Sequence, residues 1–549
     1  MKNKNLPFSK VEKTLKKQKL VFAFLNCSVK GDSLYQNYCL PLKKLFGKVF
    51  LFDPLKETAL NGYKKMEGLF ISLVKKEKPE YIFINSRRDE LTFETLDRLR
   101  KASPKTKIIS ISGDDDKDFD SVKRYHALFM DCTIIHQINY LKNYYRESIK
   151  NIFPTLGINT EIFRPMNLKK IYDVVFVGNA VEERVGTMRF LINNGVNLKI
   201  FGGRWDNYPE FKDFCRGYIS PVEMAGIINQ TKINLGLSKN KYGKSAFKWR
   251  IFEIASCKSF SLVDYFEGYF KFFKNNKEIV MVRNDIDLLE KIKYYLKNEK
   301  EREKVAGNSY KAAIKRCNIL EEFLKMFKKI IENPEIFLHK LPKTKGTIGV
   351  LTKEDMKKSD SEIKTLAKRF NYITFSNGNA NPLRYKDYLQ AYSLEKTKKQ
   401  ISCCDYYIHD KILKDYLASN ILRALGILDK RKVSQALTIN QISVSNEYFM
   451  KNISKFRSFF EGKEIDMLNE KNTCFISIPL LRLNKINNMD SEVFNEFFHQ
   501  KNFIVELSSL LRRKRLLGSK YAYRLIYLAL KNPVLLRFFL KSAKEKLIK

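Results

Sequence analysis

The residues between 244 and 253 carry the most explicit chemistry in this chain. Lys244, Lys248 and Arg250 are cations, and Glu253 follows Arg250 by three residues. They fall where a loop over 239–246 runs into an otherwise apolar helical pattern. Cations at a helix start can hold a diphosphate and stabilise it as it departs with developing negative charge. A carboxylate one turn further along can accept both hydroxyls of a ribose. Glu253 also suits a plainer role, an acid in a first helical turn where the dipole favours it. The chain has 102 Lys and Arg, so any single lysine is expected in solvent. Arg250 therefore ranks before Lys244, and Lys244 before Lys248.

Two glycine turns and an acidic run add to this. Gly178 and Asn179 close the apolar run YDVVFVGN, Arg184 stands near the next helix start, and Gly202 and Gly203 close LKIFGG. Backbone N–H groups at such turns can hold phosphate oxygens, although glycines there also serve tight turns alone. Trp205 and Tyr208 fit either a base or sugar pocket or a core. Upstream lies ISGDDDKDFD, Ile111–Asp120. Its Asp114 and Asp116 form an Asp-x-Asp, a pattern able to hold a metal ion. At the end of a strand, Asp115 or Asp116 is instead a candidate general base toward an acceptor hydroxyl, beside the alternative of acidic turn and helix caps. His126 and His136 are further base candidates. The five histidines form no HExxH or other ligand spacing, so no metal site is predicted.

The elements that must position these residues read as α/β. Short apolar runs at Val21–Leu25, Val49–Phe52, Tyr81–Asn85, Lys107–Ile111 and Cys132–His136 alternate with helical runs such as Leu42–Phe46 and Thr92–Lys101. Alternation of this kind implies right-handed crossovers and a parallel sheet. The same alternation recurs from Asp173 to about Leu296. NIFPTLGINTEIFRP (Asn151–Pro165) reads as the connection between the two, and LPKTKG as a later linker. The expected organisation is two Rossmann-like domains, 1–165 and 166–342. A third α/β, helix-rich unit spans 347–549. It opens with the strand TIGVLTK, a helix capped by Ser359 or Asp360, and the strand YITFSN.

FVGN, Arg184, KIFGG with Trp205, INLGLS (Ile233–Ser238), WRIFEIASC (Trp249–Cys257) and LVDYFEG (Leu262–Gly268) together resemble the second domain of CgeB-like bacterial glycosyltransferases, a spore-coat-maturation type of GT-B fold. The resemblance implies two Rossmann-like domains, with the nucleotide sugar on the second and the acceptor on the first. It places Glu253 on the donor ribose and has the last helix, ILEEFLKMFKKIIENPEIF, cross back to the first domain. It implies metal-independent transfer, with no cofactor beyond the nucleotide-diphosphate sugar, to a cell-surface glycan, a lipid-linked precursor or a protein. The third unit, through TIGVLTK and CCDYYIHDKILKDYLASNIL, resembles family-2 glycosyltransferases of GT-A fold. Where that family carries Asp-x-Asp, only Asp405 stands behind Cys403 and Cys404, so a degenerate or accessory role is expected. An active third unit would make the chain a two-site glycan polymerase.

Bulk properties set the surroundings. The 549 residues are 44% hydrophobic with a formal charge of +42, which excludes a disordered chain. The lysines are spread along the sequence, as biased residue usage would give. The charge also suits an anionic membrane surface, and admits a non-catalytic binder of anionic polymer or nucleic acid. No nucleic-acid motif supports the last partner, and none is expected. The final 49 residues carry a net charge of +11 among Leu, Phe and Tyr, as a membrane-lying amphipathic tail would or a terminal helix packed on the third unit. Nine cysteines without a CxxC pair argue for reduced thiols and a cytoplasmic setting at the inner face of the membrane. No apolar run reaches the about 18 residues a spanning helix needs. Leu20–Leu25 reads as the first strand rather than a signal segment.

Overall fold

The computed structural model describes residues 6–24, 27–85, 91–239, 245–376, 380–410, 415–418, 442–460 and 473–483. Lys244 and the basic tail lie outside them. Six strands build the first sheet: β1 (Lys19–Ala23), β2 (Lys48–Phe52), β3 (Tyr81–Asn85), β4 (Lys107–Ser112), β5 (Cys132–Ile135) and β6 (Ile152–Pro154). All pair in parallel, in the order β2-β1-β3-β4-β5-β6. The second sheet holds β7 (Tyr172–Val177), β8 (Leu198–Phe201), β9 (Thr231–Gly236), β10 (Ser261–Asp264) and β11 (Val280–Val282). It too is parallel, ordered β11-β10-β9-β7-β8. The chain is thus α/β, with two Rossmann-like halves. Both sheets are covered by helices, so their strands carry runs such as VVF and IIS without a polar face.

One strand was hidden in the sequence. Ile152–Pro154 belongs to the segment read as a connection, yet it adds β6 to the edge of the first sheet. Its three residues end in proline, which an outer edge accepts because no ladder N–H is needed there.

The helix Ile319–Glu332 does cross back. Ile319, Phe323, Met326, Phe327 and Ile330 recur at helical spacing, and all are buried in the core beneath β1 and β3. The Phe327 ring meets Phe46, Tyr81 and Phe83 with centroids at 5.2, 4.9 and 6.1 Å. The segment after the second sheet therefore completes the core of the first half.

A third, mixed sheet follows, ordered β12-β13-β17-β15-β18-β14 with β16 on β15: β12 (Ile348–Thr352), β13 (Tyr372–Ser376), β14 (Ala380–Pro382), β15 (Ile401–Asp410), β16 (Asp415–Ala418), β17 (Ile442–Ser445) and β18 (Thr473–Leu483). Ser359 caps the helix Asp360–Ala367 through a reciprocal capping box with Glu362. Asp405 lies within β15. This unit shares a buried apolar core with the first half. Tyr392 Oη donates to Glu147 Oε2 at 3.0 Å, and Arg124 pairs with the same carboxylate.

Phe327→Ala is expected to cost about 3–5 kcal/mol, the range for an enclosed phenylalanine. Denaturant unfolding followed by fluorescence checks it. An effect below about 1 kcal/mol would mean that the helix does not complete the first core.

Candidate functional site

In the second sheet the chain order reverses between β7 and β9, and the crevice outside the carboxyl ends of those strands is where open α/β sheets take ligands. The floor of that crevice is Phe176, fully buried in β7. Two guanidinium groups lie over its ring, that of Arg250 at 4.7 Å from the centroid and that of Arg184 at 5.7 Å. A ring face attracts cations, and Phe176 therefore gathers both.

Arg250 sits in the first turn of the helix Trp249–Ser256. Its Nη1 is enclosed and has no hydrogen-bond partner among the described residues. Desolvation, then repulsion from Arg184, draws its guanidinium down to about 9, while Glu253 and Asp264 pull the other way. Arg184 donates from Nη1 to the Asn179 carbonyl at 3.1 Å and from Nη2 to the Lys239 carbonyl at 3.3 Å. It thereby ties the turn after β7 to the loop after β9.

The three glycines of the two turns donate their N–H groups within the protein. Gly178 N donates to Phe201 O at 2.7 Å and Gly202 N to Gly217 O at 2.7 Å. Gly203 N donates to Asn179 Oδ1 at 3.0 Å. These three glycine amides are already bonded within the protein. The glycines act by leaving space. A Cβ on Gly178 would stand 2.5 Å from Arg250 Nη2, and one on Gly202, whose φ is +138°, would stand 2.2 Å from Gly178 O. Trp205 is 1% exposed and donates from Nε1 to Gly178 O at 2.8 Å, which makes it a core residue bracing the turn. Tyr208 packs on the same core.

Glu253 lies one turn beyond Arg250 and is 7% exposed. Burial pushes its carboxyl up to about 7, against the pull of Arg250. The two form no ion pair within 4 Å among the described residues. Both polar ends are thus held near one another without being spent on one another. Lys248 is the N-cap of this helix, and its backbone N–H donates to Tyr269 Oη at 3.2 Å. Lys244 lies outside the described residues.

The first half meets this helix at the end of β5. The His136 ring packs edge-on to Trp249, centroids 4.6 Å apart. His136 Nδ1 lies 2.8 Å from the Thr155 carbonyl, which can only accept, so Nδ1 carries the proton and Nε2 accepts from Tyr38 Oη at 2.7 Å. Desolvation lowers the imidazole to about 4, and it stays neutral. Both of its ring nitrogens are thus engaged within the protein. Asp115 follows β4 and is 1% exposed. It accepts from Ser112 Oγ at 3.1 Å and from Tyr144 Oη at 2.6 Å. Burial raises it to about 6 despite those bonds. Asp116 neighbours it in the same short helix, Asp115–Asp118, and is less enclosed. The His126 ring lies 5.3 Å from Phe93, in the core shared with the third unit. Desolvation lowers it to about 3.

Three positioning residues escaped the sequence. Gln137 bonds both ways with the Phe247 backbone, Nε2 to the carbonyl at 3.0 Å and Oε1 from the N–H at 3.0 Å. This side-chain amide imitates a strand and locks the first half to the segment entering the Arg250 helix. Asp264, at the end of β10, accepts from the N–H groups of Ser238 at 2.7 Å and Lys239 at 3.2 Å. Phe176 is the cation platform. Only Asp264 left a signal, an acid at a strand end of a doubly wound sheet.

Residues 184–320 match a family model described as glycosyl transferase-like. The span takes in Arg184, Arg250, Glu253 and Asp264 and is about a quarter of the chain. No curated protein matches the chain. Solved structures similar to it include a sucrose-phosphate synthase from Thermosynechococcus elongatus, 11% identical with a TM-score of 0.41 over 57% of this chain and 99% of that one. Anabaena Alr3699/HepE in complex with UDP and glucose is 10% identical with a TM-score of 0.42 over 58% and 99%. A glycosyltransferase from Rickettsia africae ESF-5 is 14% identical with a TM-score of 0.41 over 58% and 99%. The two parallel sheets, not these likenesses, define the fold.

The Glu253 carboxyl has a folded-state pKa of about 7 against 4.5 in the free residue. Between those values the native chain binds more protons than the unfolded one, so its stability falls as pH rises through that window. Glu253→Gln is neutral throughout and should lack this fall. From about pH 5 to about pH 8 the wild type is expected to lose on the order of 3 kcal/mol relative to the variant. Denaturant titrations at both pH values measure it. Parallel curves for the two proteins would place Glu253 in a polar setting and contradict the burial.

Proposed function

We propose that the protein is a glycosyltransferase that takes a sugar from a nucleotide-diphosphate donor held by the second half and passes it to an acceptor on the first. The observation that carries this reading is Arg250, a guanidinium beside Arg184 with an enclosed, unpartnered Nη1. A dianionic diphosphate satisfies that atom and relieves the repulsion between the two arginines. Glu253, one turn on, is spaced to accept the ribose hydroxyls. In the reaction an acceptor hydroxyl oxygen bonds to the anomeric carbon as the bond from that carbon to the diphosphate oxygen breaks. The negative charge that develops on the diphosphate falls to Arg250 and Arg184. The hydroxyl proton goes to a base of the first half, for which Asp115, raised to about 6, is suited. Cations serve the leaving group here without a metal ion. The segment matched by the glycosyl transferase-like model contains all of the donor-side charges, which supports the reading.

The finer parts of the proposal come from the motifs. Residues 1–165 take the acceptor, 166–342 the donor, and 347–549 form an accessory unit of degenerate GT-A type. The CgeB-like motifs point to a cell-surface glycan, a lipid-linked precursor or a protein as acceptor, and the charge of the chain points to a cytoplasmic site on an anionic membrane face. No helix among the described residues is long and apolar enough to cross a membrane.

A melting screen against UDP, GDP, CDP and dTDP, with and without Mn²⁺, tests the donor site. A nucleotide at 100 times its dissociation constant adds about 2.7 kcal/mol of stability. The expected result is a shift with one nucleotide that ignores Mn²⁺ and disappears in Glu253→Ala. A shift that needs Mn²⁺ and ignores Glu253 would move the chemistry to Asp114–Asp116. No shift at all would favour a binding protein for anionic polymer.

A further inference from the structure

The first half holds buried hydrogen-bonding atoms that the donor site does not use. The helix after β1 opens with a π-helical turn, Tyr35–Cys39, which then narrows into the helix Leu40–Leu45. Such turns give up ordinary helical pairing and gather at functional sites. Gln36 and Asn37 stand in it, 8% and 4% exposed, and Gln36 Oε1 and Asn37 Oδ1 have no hydrogen-bond partner among the described residues. Leaving a carboxamide oxygen buried and unpaired is costly, and a position needing only volume would carry Met or Leu. The turn itself is firmly held. The Gln36 carbonyl accepts from Asn159 Nδ2 at 2.7 Å, and Tyr38 reaches His136. The side chains are therefore not idle because the segment is loose.

Their place matters as much as their state. Tyr38 lies 5.4 Å from the Trp249 ring, so the turn adjoins the helix that carries Arg250 and Glu253. Trp249 Nε1 is also enclosed, with no partner among the described residues. At the end of β4, on the same edge of the sheet, Asp115 Oδ2 is a third unpaired acceptor, and a second π-helical turn, Phe119–Lys123, follows it. On the second half the unpaired atoms over Phe176 are cationic N–H groups, Arg250 Nη1 and Arg184 Nε. Where β1 and β4 of the first half lead out, those of Gln36, Asn37 and Asp115 are oxygens. Oxygens call for a ligand that donates hydrogen bonds, and a phosphate at neutral pH does not. A carboxamide offers N–H beside its oxygen, which fits the adjacent hydroxyls of a sugar, and aromatic rings stand alongside.

We propose that Gln36 and Asn37 form a hydroxyl-reading subsite for a neutral sugar acceptor. This rests on the glycosyl-transfer reading above and narrows its acceptor from glycan, lipid-linked group or protein to a carbohydrate that presents free hydroxyls.

Saturation-transfer NMR on the full chain tests it, with methyl glucoside, methyl galactoside, methyl N-acetylglucosaminide and glycerol 3-phosphate as probes. The variants are Gln36→Met with Asn37→Leu, and Asn37→Leu alone, so that a folding failure of the double variant leaves binding measurable. The expected result is a signal from at least one neutral glycoside that drops by about tenfold in the variants, which melt no lower than the wild type. The nucleotide-induced melting shift, measured on the same samples, should be unchanged and reports the donor reading separately. The proposal is overturned by the absence of any glycoside signal in the wild type, by a signal only from glycerol 3-phosphate, or by glycoside binding that survives both variants. Failure of both variants to fold would assign the two amides a structural role and overturn it as well.

Discussion

A guanidinium without a counter-ion is the constraint on which the second half of this molecule depends. Burying a cation is expensive unless something answers it, and here no carboxylate among the described residues lies within ion-pair reach of Arg250. The surroundings are built to hold it nonetheless. Phe176 supplies a ring face, Gly178 gives up its side chain so that the guanidinium can lie against the turn, and Gly202 gives up its own so that the two turns can interlock. Arg184 and Asp264 fix the loop after β9 through backbone groups. Such an arrangement leaves the guanidinium without a carboxylate partner among the described residues, as the proposed diphosphate site requires. Energy withheld from the free protein becomes binding energy for the ligand, and more so when negative charge grows on that ligand.

The same helix couples the two halves. Its entry, Phe247, is held by the Gln137 amide, and its first residue, Trp249, packs on His136 and Tyr38. Farther along the chain the helix Ile319–Glu332 fills the core of the first sheet. The first half therefore touches the segment that carries Arg250 and Glu253 through one side-chain amide and one aromatic cluster. The third unit rests on the opposite business of the first half, its packing helices, through Glu147, Arg124 and Tyr392. His126 is enclosed in the same core, and desolvation holds it neutral.

Much of the α/β order was legible because the strands are short apolar runs bounded by glycine or polar residues, a period-based signal. Tyr81–Asn85 begins and ends where the pattern put it, and the first strand is displaced by two residues. Ile152–Pro154 was not legible, since three residues ending in proline carry no periodicity. Within the site, Arg250 and Glu253 could be singled out because charge on an apolar helix is anomalous. The steric duty of Gly178, Gly202 and Gly203 could not, because sequence does not show which amides are already bonded. Gln137 gave no signal at all. A glutamine that imitates a strand looks like any other glutamine until its partner, 110 residues away, is in view.

The central claim is that Arg250 is held unpaired for an anion. It is tested most directly by the melting temperature of Arg250→Met and of the wild type, each without ligand and with inorganic pyrophosphate. Methionine keeps an unbranched apolar stem and removes the charge. The account predicts that the ligand-free variant melts at or above the wild type, and that pyrophosphate raises the wild type alone. A variant that melts well below the wild type, or one that gains as much from pyrophosphate, would show that Arg250 is a structural residue and contradict the account.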